Sequence, residues 1–220
     1  MAYAVRMCAA LLLFGLAACA ASTPPAQKPQ PAAMTPAHAG GPPPAGAAPS
    51  PALATFLADA RKMGLTYATP AGYAEVPVRQ NMDQGYDYAI ASEDKRIEMR
   101  FTLRPYDEMP PPMRNRQMSF MFFMTGVSNL VRGGQEGSFV DPKPVPKDHF
   151  NADDAQLVAV RWSLPKNSAD AFGDGFEVGM AIFMHRKGIG DAYTFALFKD
   201  RDAIDGMDEE TLHAMRFAAP

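Results

Sequence analysis

The sequence predicts an α+β domain with an antiparallel sheet flanked by helices, and three stretches carry that expectation. Residues 96–104 alternate apolar and polar without a fault, placing Ile97, Met99, Phe101 and Leu103 on one face of a strand. Two apolar runs, 176–187 and 191–198, are joined by Gly188-Ile189-Gly190, where the glycines admit positive φ and a β-hairpin follows. Residues 113–132 carry Phe120, Phe123, Met124, Val127 and Leu130 at helical spacing, a stripe that suits packing on a sheet.

The other elements follow in order. Leu53, Phe56, Leu57 and Ala60 recur at helical intervals and predict a short helix ending near Gly64. Residues 72–78 read as a strand in which Pro77 signals a sheet edge. Residues 86–91 are a second strand, and Glu93-Asp94-Lys95 turn the chain into 96–104. Pro105 and the run Pro110-Pro111-Pro112 stop that strand before the long helix, and Gly133-Gly134 close the helix. Residues 154–164 form another strand, with Val158, Val160, Trp162 and Leu164 on one face. A last helix is expected from about Asp208, which caps it, to Phe217.

The chain ahead of this domain has another character. Arg6 precedes an apolar run, Met7 to Ala18, that is shorter than the about 20 residues a membrane span needs. A basic start and a short apolar core make a secretory signal peptide over residues 1–18. Leu16-Ala17-Ala18-Cys19 resembles the bacterial lipobox. That resemblance implies cleavage before Cys19 and acylation of its thiol, anchoring the mature chain without a span. Ala20 after Cys19 implies, by the same resemblance, the outer membrane and a periplasmic-facing domain. Cys8 leaves with the signal, so Cys19 is the one cysteine of the expected mature chain. An intramolecular disulfide, cysteine catalysis and cysteine-ligated metal clusters are thereby excluded.

Residues 19–50 are expected to be the lipidated cysteine and a disordered linker; 20–50 hold ten Ala and nine Pro, with Lys28 the only formal charge. Extended at about 3.1 Å per residue, the linker reaches roughly 95 Å. Residues 51–220 form the single expected domain. Without Arg6 and Lys28 it has 19 basic and 24 acidic residues, a net charge of −5. Such a balance argues against nucleic acid as a partner and against adhesion to anionic membrane by charge.

The order is helix, three strands, long helix, three strands, terminal helix. With the strand pairs 72–78, 86–91 and 96–104, the hairpin 176–198 and the closing segment Glu210-Thr211-Leu212-His213-Ala214-Met215-Arg216-Phe217, it resembles the PsbP/DcrB-like fold over about residues 65–218. The resemblance implies a small, mostly non-enzymatic accessory protein of the periplasm or thylakoid lumen. It rests on element order, so it assigns no metal or partner residue.

No Gly-x-Ser-x-Gly, His-Glu-x-x-His, P-loop or Gly-x-Gly-x-x-Gly motif occurs, and no cofactor is expected. The histidines are four: His38 in the linker, and His149, His185 and His213, read as loop, strand and helix surface. Met118, Met121 and Phe122 fall off the helix stripe, either under a second buried contact or as an exposed patch that docks a protein or cell-envelope component. Arg96, Arg100 and Arg104 share one strand face, a second candidate surface for an anionic ligand or else a solvated row with local ion pairs. Two metal readings stand as alternatives. Met118, Met121 and Met124 with Met180, Met184 and His185 offer soft donors to copper(I). Asp200, Asp202, Asp205, Asp208, Glu209 and Glu210 crowd hard donors suited to calcium into one turn, which otherwise supplies negative charge at a helix start. An enzyme of unidentified class comes third. A binding or accessory module is the leading expectation.

Overall fold

The computed structural model describes residues 48–79, 84–132, 138–161 and 172–219. Ser50 caps the first helix, α1 (Pro51–Lys62), by accepting from Leu53 N at 3.0 Å, and Pro51 supplies a helix-ready φ at its first position. The chain continues through β1 (Leu65–Tyr67), β2 (Tyr73–Glu75), β3 (Tyr88–Ser92) and β4 (Ile97–Pro105) to α2 (Arg116–Arg132). Short strands β5 (Ser138–Phe139) and β6 (Lys143–Pro144) precede β7 (Asp154–Arg161), β8 (Val178–Arg186) and β9 (Gly190–Phe198). A four-residue helix, α3 (Glu209–Leu212), and strand β10 (Met215–Phe217) follow.

The main sheet runs β2-β3-β4-β9-β8-β7-β5, with β6 also paired to β7, and every pairing is antiparallel. The α+β class and the two hairpins stand as the sequence predicts. Lys95, at φ 56°, turns β3 into β4, and Asp94 braces the turn by accepting from Arg96 N at 3.0 Å. β2 is the edge strand that Pro77 signals, though the strand ends two residues before that proline. Trp162, Leu164 and the Gly133-Gly134 stop lie outside the described residues.

Both faces of the sheet are covered. On one, Phe56 of α1 stacks on Tyr88 at 4.9 Å between ring centres and meets Tyr67 edge-on at 5.2 Å. Ile97, Met99, Phe101 and Leu103 are buried on this side, as the alternation requires. On the other, α2 packs its stripe on Val158, Ala181, Phe183, Tyr193 and Phe195. Every residue of β9 is consequently buried.

The terminal helix expected over 208–217 is corrected. Asp208 does cap a helix, accepting from Thr211 N at 2.7 Å, but that helix ends at Leu212. Residues 215–217 are a strand because β1 offers them a pairing edge, with Leu65 opposite Phe217 and Thr66 Oγ1 donating to Arg216 O at 3.1 Å. Met215 and Phe217 are buried and Arg216 is exposed, a period of two too short to outweigh helical composition. β1, β5 and β6 also lie outside the strands the sequence predicts.

The β8–β9 turn depends on glycine. Gly190 has φ 153°, and a Cβ there would lie 2.4 Å from Arg104 O and 3.0 Å from Pro105 Cα. Gly188, at φ 76°, has open space around it. Gly190→Ala is therefore expected to cost about 3 kcal/mol and Gly188→Ala about 1 kcal/mol. Urea denaturation of the two variants checks this, and equal losses would contradict the close-approach argument.

Candidate functional site

The sheet determines which way α2 faces. Phe123 is buried 5.5 Å from Phe183 and 5.0 Å from Tyr193, and Phe120 meets Phe183 edge-on at 5.2 Å. The helical period then turns the intervening residues outward. Met121 is 52% exposed, Phe122 is 46% exposed, and Met118 is half-buried beside them. With Val78 at 43%, Met121 and Phe122 are the exposed large hydrophobic side chains among the described residues. A second buried contact over this face of α2 is thus not what Met121 and Phe122 make.

A buried polar network holds α2 in that orientation. Ser119, on the inner side of α2, donates to Asp191 Oδ2. The other oxygen, Oδ1, lies 2.8 Å from His185 Nδ1, which is 3.1 Å from the Tyr106 hydroxyl. The four side chains come from α2, β9, β8 and the single turn after β4, and all are buried. Burial, with the Asp191 charge beside it, raises the Tyr106 phenol above its ordinary range. The same two causes push Tyr193 up to about 12. The network is not a nucleophile–base pair, because Ser119 and His185 reach different oxygens of Asp191 and not each other. His185, read from sequence as strand surface, is interior.

Of the two readings of the arginine row, Arg96 and Arg104 follow the one with local ion pairs, and the placement of Arg100 on a solvated face is corrected. Arg100 is 4% exposed and lies under the 172–176 turn, with its guanidinium 4.6 Å from the Phe172 ring centre and 4.8 Å from that of Tyr86. It donates to Glu98 Oε1 at 2.7 Å and to Phe172 O. Arg96 donates to both carboxylate oxygens of Asp200, and Arg104 Nη1 lies 3.9 Å from Asp87. Each arginine of the row faces a carboxylate, so the row presents no free cationic face. Asp87 also borders an acidic cleft of about 360 Å³ with Asp59, Asp107, Glu108 and Lys62. Burial raises the Asp87 carboxyl, against the lowering by Leu103 N, which donates to it at 2.6 Å, and by Arg104.

The copper set is not assembled. Met184 and His185 are successive residues of β8 and point to opposite faces. Met180 and Met184 are buried on the α1 side, across the sheet from Met118, Met121 and Met124 of α2. In the acidic turn, Asp200 accepts from Ala203 N at 3.0 Å and Asp208 caps α3, so two of the six carboxylates are helix caps. Glu209 instead faces His149, 3.7 Å from its Nδ1, beside His213. Burial first and His149 second lower the His213 imidazole. The spacing Glu209-x-x-x-His213 was the signal for this grouping in the sequence; the approach of His149 had none. Cys19 lies outside the described residues.

No protein-family model matches the chain, and no curated protein matches it. Among solved structures, the chain is similar to the cyanobacterial PsbP protein (CyanoP) of Synechocystis sp. PCC 6803, with 14% identity and a TM-score of 0.42 over 71% of this chain and 88% of that one.

Tyr193 gives the interior a pH signature. A phenol raised in the fold stays protonated there while the unfolded chain, titrating near 10, loses its proton. Its contribution is therefore complete below pH 10 and is lost as pH rises toward 12. The loss is expected to approach about 3 kcal/mol. Tyr193→Phe should flatten the fall of Tm between pH 10 and 12, and an unchanged slope would refute this assignment.

Proposed function

We propose that this chain is a bacterial cell-envelope lipoprotein whose domain is a non-catalytic binding or accessory module, docking an envelope protein on the exposed face of α2. One observation carries the docking surface: Met121 and Phe122 stand side by side in solvent on a helix whose opposite face is buried on the sheet. Single exposed hydrophobics are ordinary on protein surfaces, but here two are adjacent, with half-buried Met118 one turn before them, a grouping of the kind partners cover. Met and Phe are among the side chains enriched at interfaces.

The anchor rests on sequence. Residues 1–18 act as the signal peptide, Cys19 takes the lipid, 19–50 form the tether and 51–220 the domain. Among the described residues no helix is long and apolar enough to cross a membrane. Lipid burial contributes about 0.8 kcal/mol per CH₂, so two or more chains give lasting attachment. Ala20 after Cys19 favours the outer membrane, with the domain in the periplasm.

Cys19→Ser should shift the protein from the membrane fraction to the soluble fraction or block its processing. A Cys19→Ser chain that stays in membranes at mature size would refute the lipid anchor. For the patch, crosslinking in intact cells is expected to join the wild type to an envelope protein that Met121→Glu/Phe122→Glu fails to capture. Both changes lie in solvent, so the stability of the double variant should stay within about 1 kcal/mol of wild type. Identical crosslinks from both proteins would remove α2 as the interface.

A further inference from the structure

Two chain segments distant in sequence bring histidine and carboxylate side chains together. The single turn 147–150 carries His149, and α3 with its cap carries Glu209 and His213. Glu209 and His213 lie one helical turn apart, and His213 N donates to Glu209 O at 3.1 Å, which keeps both side chains on one face. Two contacts fix the 147–150 turn against them. Asn151 Nδ2 donates to Phe217 O at 2.9 Å, and the Phe150 ring lies edge-on to the His213 ring at 4.8 Å. The His149 and His213 rings are themselves 5.1 Å apart.

One potential ligand atom from each of His149, Glu209 and His213 lies within 4.8 Å of the other two. Ligands of a tetrahedral zinc ion at about 2.0–2.1 Å stand roughly 3.4 Å from one another. His149 Nδ1 and Glu209 Oε1, 3.7 Å apart, are close to that separation already. The His149 and Glu209 side chains are 34% and 42% exposed, which leaves them room to rotate toward a shared ion. Two imidazole nitrogens and one carboxylate are a borderline donor set, suited to zinc-class ions and poor for calcium or magnesium, which take oxygen.

We infer that His149, Glu209 and His213 form a binding site for a divalent zinc-class metal ion, with three protein ligands and a fourth position open to solvent. The site differs in residues from the copper and calcium sets of the sequence reading, and it is independent of the docking face on α2. It also gives the 147–150 turn and α3 a shared ligand, so metal binding would staple two segments distant in sequence.

The test uses the full chain without a histidine tag, stripped with chelator and titrated calorimetrically with Zn²⁺ alone. One Zn²⁺ per chain is expected, together with a rise in Tm, since a ligand that binds only the folded state stabilises it. His149→Gln, Glu209→Gln and His213→Gln should each weaken binding at least tenfold. Glu210→Gln, which removes the same charge one residue away, should bind as the wild type does. His149 and Glu209 are half-exposed, so those two variants remain folded and decide the matter even if His213→Gln loosens the packing of Phe150. Absence of Zn²⁺ binding to the wild type, or wild-type affinity in His149→Gln and Glu209→Gln, would overturn the site.

Discussion

β9 is buried along its whole length, and the rest of the structure follows from that constraint. A strand closed to water on both faces needs a hydrogen-bonding neighbour on each edge and an apolar layer on each side. β4 and β8 supply the edges by antiparallel pairing. α1 with its aromatic cluster forms one layer and α2 the other. The close approach of Gly190 to Arg104 O and Pro105 is where β4 and β9 first meet, so the smallest residue stands where the backbones leave no room.

Burial of this extent obliges every polar group inside to find a partner, because an unpaired one costs about 1–3 kcal/mol. Asp191 meets that demand through Ser119 and His185, and in doing so ties α2 to the hairpin. Arg100 meets it through Glu98, a backbone carbonyl and two aromatic rings, and in doing so fastens the 172–176 turn over the sheet. Thr194 Oγ1 has no partner, a small exception in the middle of the strand. These contacts are structural, and their consequence for function is orientation. With Ser119 and Phe123 held inward, Met121 and Phe122 can face only outward.

The outer surface is divided accordingly. The exposed side of α2 carries Met121 and Phe122 beside the polar Gln117, Thr125 and Asn129, whereas the arginines of β4 are matched by Asp200, Glu98 and Asp87. An acidic domain with paired arginines has little to offer anions or a membrane surface. An apolar spot on a helix packed against the sheet has something to offer a protein partner. The carboxylates near the C-terminal turn are partly consumed as helix caps, and Glu209 is left to face two histidines.

Local patterns determined a good part of this. Alternation at 96–104, the glycines at 188 and 190, the helical stripes from Leu53 to Ala60 and from Phe120 to Leu130 and the cap at Asp208 each act within a few residues, so the α+β class, both hairpins and both principal helices were legible in the sequence. So was the apolar identity of Met118, Met121 and Phe122. What required the tertiary structure was every feature whose partner is remote in the chain. Residues 215–217 became a strand because β1 lies alongside. Arg100 became interior because alternation marks two faces but not whether the polar one is later covered. His149 reached Glu209 and His213 because the fold closes a separation of about sixty residues, and no periodicity records that. Short-range sterics and hydrogen bonding are written in neighbouring residues; burial on the second face of a sheet, and the meeting of distant side chains, are decided only when the layers pack.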